Sequence, residues 1–224
     1  MKLPKKVILP LEQVPQTWPG AFGLYKYSKA AMLTNVGTYL SLLILTFIAS
    51  SVLGGIGGSN KATGSYVLAQ VLALLVGVYL SAATTFVELS NVSRKKVGFS
   101  EVLPLVKRYF LPLLVATVAM EIILAVSLVL FIIPFFIVLP RLVLTPYFIV
   151  AEQMEPFDAI KASWNKTRGH STKVWGIFGA NILYALLVLT IVGIPFALYF
   201  LFMYRSSGAI LYRWIQSTGP TEQA

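Results

Sequence analysis

YFLPLLVATVAMEIILAVSLVLFI, residues 109–132, holds a single charge, Glu121, in 24 positions. A helix needs about 20 apolar residues to cross the hydrocarbon of a bilayer. Backbone in lipid must close its own hydrogen bonds, so a run of this length reads as a transmembrane helix. Strands of a membrane barrel would alternate over about ten residues, and residues 122–138 do not alternate. The next stretch, IPFFIVLPRLVLTPYFIV at 133–150, carries one charge, Arg141, and three prolines, Pro134, Pro140 and Pro146. The two runs read as a helical hairpin turning at Pro134.

The same pattern recurs on either side. Further spans are predicted at 30–53, 66–87, 174–192 and 196–211, which with 109–132 and 135–150 makes six in three hairpins. A glycine-rich turn, Gly54 to Asn60, joins the first pair, and Gly193-Ile194-Pro195 joins the last. The chain of 224 residues is 57% hydrophobic and 12% charged, with a mean hydropathy of +0.79. Soluble domains carry about 25% charge. The expected fold is all-α: a polytopic membrane protein with interfacial amphipathic helices between its hairpins. Residues 1–29 are expected as a cytoplasmic N-terminal segment, 30–216 as the membrane domain and 217–224 as a short tail.

Charge sets the orientation. Lys2, Lys5, Lys6, Lys26 and Lys29 precede the first span. Arg94, Lys95, Lys96, Lys107 and Arg108 follow the second, and Lys161, Lys166, Arg168 and Lys173 follow the fourth. With Arg205 and Arg213 at the end of the sixth, sixteen of eighteen Lys and Arg fall on one side. Lys61 lies opposite and Arg141 within a span. The positive-inside rule then places both termini in the cytoplasm, in the inner membrane of a prokaryotic cell. A net charge of +10 also fits nucleic-acid binding. The charges are divided among loops and form no continuous basic face, so anionic lipid headgroups are the expected partner, with no nucleic acid. The apolar run after the basic N-terminus, Val7 to Leu9, is too short for a signal-peptide core, so the first span is read as an uncleaved insertion signal.

Each hairpin follows an aromatic-containing segment, at Phe22–Tyr27, Phe99–Val102 and Phe157–Ile160, which reads as a threefold unit of interfacial helix plus hairpin. The best-marked of these helices is 156–168, with Pro156 in its first turn and Gly169 at its C-terminal cap. Phe157, Ile160 and Trp164 share a face, with Asp158, Lys161, Asn165 and Arg168 largely opposite. Lys161, Trp164, Lys166 and Arg168, with Arg94, Lys95 and Lys96, are the candidate headgroup-facing residues. A second interfacial helix, capped by Ser100 with Pro104 in its first turn, is expected over 101–109.

Ionisable residues inside spans mark functional sites or structural pairs. Glu121 and Arg141 flank the Pro134 turn at depths differing by roughly 9 Å. Two readings stand: a polar site for a headgroup, ion or proton, and a structural pair locking the hairpin. Pro140 and Pro146 interrupt the fourth span, as discontinuous helices do at transport sites. Glu121, Arg141 and Pro140 are therefore the candidate binding residues.

Catalytic constellations are missing. There is no Cys, His170 is the sole His and Asp158 the sole Asp, and no nucleophile–base, phosphate-loop, dinucleotide or metal-ligand motif occurs. No enzymatic activity, cofactor or metal is expected.

The run from Pro134 through Pro140-Arg141-Leu142 and Pro146–Val150 to Ala159-Ile160-Lys161-Ala162-Ser163-Trp164 and Thr167-Arg168-Gly169 resembles a bacterial six-span family. That family includes the membrane domain of glycerophosphoryl diester phosphodiesterase and related proteins of unknown function. The resemblance covers roughly residues 100–215. It implies a helical membrane domain. It implies no phosphodiesterase activity, since that chemistry resides in a separate soluble barrel domain for which this sequence has no segment. The expected function is a non-enzymatic scaffold or lipid-interacting module. The alternative is a small-solute or ion transporter using the interrupted fourth span.

Overall fold

A computed structural model describes residues 15, 17–57, 64–130, 132–187 and 193–218. Over these the chain forms ten helices. They are α1 (Gly20–Met32), α2 (Val36–Gly57), α3 (Gly64–Val92), α4 (Phe99–Leu130), α5 (Ile132–Leu142), α6 (Thr145–Glu152), α7 (Pro156–Lys166), α8 (Ser171–Leu186), α9 (Gly193–Tyr204) and α10 (Ser207–Thr218). Five stretches are long and apolar enough to cross a membrane: Val36–Gly55, Tyr66–Val92, Phe99–Leu130, Pro134–Glu152 and Gly193–Thr218. The predicted fifth span, 174–192, falls on α8, and its residues 188–192 lie outside the described ones. The glycine-rich turn is only partly described.

Burial follows the logic of a lipid solvent. Leu40, Leu43, Ile44, Phe47, Ile48 and Val52 of α2 all stand exposed. An apolar surface of that extent needs a covering, and here the bilayer supplies it. Packing against neighbours is left to small and interior residues. α3 is the central helix, touching α1, α2, α4, α6 and α10, and its Ala82, Ala83 and Val87 are fully enclosed. Small side chains let backbones approach closely where no hydrophobic drive exists between helices. Gly176 of α8 serves the same end, since a Cβ there would sit 3.2 Å from Ala21 of α1.

Three breaks shape the bundle, and each revises a predicted boundary. The first span does not begin at residue 30. α1 ends at Met32, and α2 starts at Val36 after a turn held by the Asn35 side chain. Its Nδ2 donates to Lys95 O (2.7 Å) and Asn91 Oδ1 (2.9 Å), and its Oδ1 accepts from Val97 N (2.8 Å). α1 packs against α3, α8, α9 and α10, with Leu24, Ser28, Ala31 and Met32 buried.

The fourth span is two helices, α5 and α6, as its prolines foretold. Pro146 occupies the first turn of α6. The Arg141 carbonyl by the break accepts from Ser163 Oγ (2.6 Å) and, more weakly, Thr167 Oγ1 (3.4 Å) of the α7 segment. Hydroxyls of a neighbour thus satisfy backbone that lipid could not. The sixth span also divides, into α9 and α10, at Arg205-Ser206.

Phe99–Arg108 is no separate interfacial helix. It continues without interruption into α4, placing Pro104 and Pro112 inside the helix. The start is at Gly98 rather than Ser100. Gly98 N donates to Glu101 Oε2 (3.4 Å), one half of a capping box. Of the three repeated aromatic segments, the outer two form helices of their own, α1 and α7, and the middle one is the first turn of α4.

The basic connections gather at one end of the bundle. Asn35 binds the 95–97 loop, Arg108 Nη2 donates to Gln153 Oε1 (2.8 Å) at the end of α6, and Tyr212 donates to Glu152 (2.6 Å). Lys173 Nζ lies 4.1 Å from the Trp214 ring centre, where the edges of Trp18 and His170 also meet that ring. These contacts join several of the basic connections in space.

Candidate functional site

In the long apolar stretch between Lys61 and Arg94 one charged residue occurs, Glu88. It lies six residues before Arg94, roughly 9 Å along the helix axis from the basic loop. Glu88 is 3% exposed. A carboxylate so enclosed needs partners, because desolvation of an unpaired charge is prohibitive. Two are supplied. Arg205 Nε, at the α9–α10 break, lies 3.1 Å from Glu88 Oε1 and forms an ion pair with it. Tyr147 Oη, on α6, donates to Glu88 Oε2 at 2.6 Å. Three spans converge on one carboxylate.

The surroundings extend the network. The Tyr147 ring stacks on Tyr212 of α10 (5.7 Å, 21°), and Tyr212 donates to Glu152. Tyr39 of α2, nearly buried, faces the Arg205 guanidinium and sets its ring edge-on to Phe202 (5.5 Å). Below lies a hub at Asn91, fully buried, which binds Asn35 and reaches Ser206 Oγ (3.5 Å).

Two hollows meet at the pair. A cleft of about 940 Å³ runs between α2, α3 and α9, with apolar walls such as Leu43, Phe47 and Leu201. A smaller hollow of about 450 Å³, more polar, lies between α3, α6, α8 and α10 and is lined by Glu88, Tyr147 and Asn181. Ser81, Thr84 and Arg205 line both. Arg205, whose side chain is 58% exposed, stands at the junction. Beside the cleft, Lys29 of α1 lies 5.6 Å from the Tyr199 ring centre. Burial, reinforced by the adjoining Tyr199 phenol, pushes the Tyr25 phenol up to about 12, so Tyr25 stays neutral next to Lys29.

Gly208 is the tightest point. A Cβ there would stand 2.5 Å from Tyr147 Oη. Tyr147 is held by Glu88 and Tyr212 and cannot swing aside freely. Gly208→Ala should therefore cost about 1–3 kcal/mol through overpacking, read as a lower melting temperature in detergent. A variant as stable as the parent would show that the ring repacks without penalty.

The sequence-derived candidates are placed differently. Glu121 lies exposed on α4 and makes no ion pair with Arg141. Arg141 is half-buried at the end of α5, its Nη1 enclosed without a hydrogen-bond partner. Pro140 is buried beside it. On α7, Pro156, Ala159, Ile160 and Ser163 form the packed face against α4, α5 and α6. Ile160 therefore parts company with Phe157 and Trp164, which are 61% and 39% exposed. Lys161 and Arg168 are exposed with them, and Lys166 is half-buried. Arg94, Lys95 and Lys96 are all exposed. Glu88 and Arg205 were missed as a site because Glu88 falls one residue past the predicted second span and Arg205 was counted as a topological charge. A search for acidic residues within the apolar stretch 62–93 would have found Glu88.

Helices of this length and surface, converging on a buried ion pair, define a helical integral membrane protein. The model of the family described as the membrane domain of glycerophosphoryl diester phosphodiesterase matches residues 96–211, just over half of the chain. The chain belongs to this family. No curated protein and no solved structure gives a significant match. The matched segment contains Arg205 and Tyr147 but not Glu88, so the buried site joins the family segment to the helices that precede it.

Proposed function

We propose that this chain is a non-catalytic, lipid-interacting module of the cytoplasmic membrane, with both termini inside and α7 lying in the headgroup plane. The observation that carries this reading is the outer face of α7. Phe157, Lys161 and Trp164 recur at i, i+4 and i+7, all exposed, away from the face packed on the bundle, and Arg168 is exposed in the turn just beyond the helix. Aromatic rings with interleaved cations suit the boundary between acyl chains and anionic headgroups, and each cation near that surface adds about 1 kcal/mol. Arg94, Lys95 and Lys96 supply further cations at the same end.

The cysteine-free sequence makes the test direct. A single Cys at 164, spin-labelled in nanodiscs, should report a depth within about 5–10 Å of the headgroup–acyl boundary. A label in bulk water would defeat the interfacial placement. A single Cys at 95 should react with an impermeant maleimide in inside-out vesicles and not in intact cells. The reverse pattern would overturn the orientation.

A transporter remains the second reading. It is favoured by Arg141, at the end of α5, whose Nη1 is enclosed without a hydrogen-bond partner. It requires solute flux in liposomes that is lost in Arg141→Gln and Glu121→Gln. No flux from the folded parent would remove it.

A further inference from the structure

The cleft between α2, α3 and α9 carries one charged side chain in its lining, Arg205, and it stands toward one end. Its α2 wall runs from Val36 to Ser50, roughly 21 Å of helix, and one leaflet of hydrocarbon is about 15 Å deep. Val36 opens α2 at the basic end of the bundle, where Asn35 binds the 95–97 loop. Tyr39, Thr84 and Arg205 cluster toward that end, and Leu43, Phe47 and Leu80 continue the wall away from it. Glu88 holds Arg205 through Nε alone, and Tyr147 holds the other carboxylate oxygen, so the guanidinium is anchored while its side chain remains 58% exposed. An anchored guanidinium is a fixed, permanently charged donor fork suited to phosphate.

We propose that this cleft holds one anionic phospholipid of the inner leaflet, its phosphate against Arg205 and an acyl chain along the α2–α9 wall. Charge complementarity chooses the occupant. Glu88 offsets Arg205, so with Lys29 nearby this end of the cleft is net positive; a second apolar helix would press the exposed part of the guanidinium against hydrocarbon, and a zwitterionic lipid would bring its own cation to the same place. Lys29, beside Tyr199 on the cleft wall, adds to the preference for negative charge. The inference rests on the chain's being a lipid-contacting membrane module, but uses none of the α7 residues.

The test is native mass spectrometry of the full chain released from micelles titrated with phosphatidylglycerol or phosphatidylcholine. One phosphatidylglycerol per chain should be retained with about tenfold preference, the scale of a charge-assisted hydrogen bond. Arg205→Gln should abolish the preference. Gly77→Phe is the independent variant. Gly77 lines the cleft and a Cβ there meets nothing within 4 Å, so the ring fills the space with every charge in place. It should lower phosphatidylglycerol retention about tenfold, the loss expected on excluding one to two buried methylenes' worth of contact. Unchanged retention in Gly77→Phe overturns the proposal, whether or not Arg205→Gln folds. So does equal retention of the two lipids by the parent, or full competition by free glycerophosphate. The variant K161E/K166E/R168E should retain phosphatidylglycerol normally. If it alone loses the lipid, the α7 face carries binding and the cleft proposal falls while the interfacial reading stands.

Discussion

Arg205→Leu should lower stability by about 3–5 kcal/mol, because it leaves a buried carboxylate without its cation. Glu88→Leu should cost much less, about 1–2 kcal/mol, although it removes the other half of the same pair. The asymmetry comes from enclosure. Glu88 is 4% exposed along its side chain and Arg205 58%. An orphaned Arg205 can turn toward the cleft that it lines, whereas an orphaned Glu88 keeps only the Tyr147 hydroxyl. The double Leu variant should then be close to Glu88→Leu and far from the sum of the two losses. Unfolding in mixed micelles at increasing dodecyl sulfate measures all three. Equal losses in the single variants, or additivity in the double, would refute the account of this pair as a buried carboxylate sustained by a cation that borders the cleft.

Asn35→Ala is expected to cost about 3 kcal/mol, from three hydrogen bonds at about 1 kcal/mol each. Asn35 is 6% exposed and ties the α1–α2 break to Asn91, Lys95 O and Val97 N. Once it is removed, the Val97 amide loses its acceptor in an enclosed place, and that amide should exchange with solvent faster. Asn35→Asp keeps the acceptor for Val97 but gives up both donated bonds and buries a charge, so it should fare no better than Ala. Thr38→Val is the control. It removes a single bond to Val97 O (2.6 Å) and should cost about 1 kcal/mol. If Thr38→Val and Asn35→Ala were equally harmful, the Asn35 hub would not be what fixes the α1–α2 turn.

These two sites show where sequence reading succeeds and where it stops. The α5–α6 break was legible from Pro146, which stands in the first turn of α6, whereas Pro140 lies inside α5 and is accommodated there. The α1–α2 break was not. It lies in the tripeptide Leu33-Thr34-Asn35, which carries neither proline nor glycine, and only its partners 60 residues away explain why the helix stops there. The α7 helix was legible from Pro156 and Gly169, yet the division of its faces was not. Which side packs depends on α4, α5 and α6, and their placement turned Ile160 inward and left Phe157 and Trp164 outside.

Glu121 and Arg141 attracted attention because charge in hydrocarbon is costly wherever it occurs, but cost alone does not select partners. Glu121 lies on an outer face of α4, and the ion pair forms instead between Glu88 and Arg205, 117 residues apart. By itself the sequence determined that the chain is helical and built for lipid, since apolar runs of span length admit no other backbone solution. It also determined which loops carry the cations. The tertiary structure alone decided which polar side chains meet, because a helix that is apolar all round offers no stripe to say which face its neighbours will cover. In this protein the few polar groups inside that apolar surface, Glu88, Tyr147, Arg205 and Asn91, found one another only through packing.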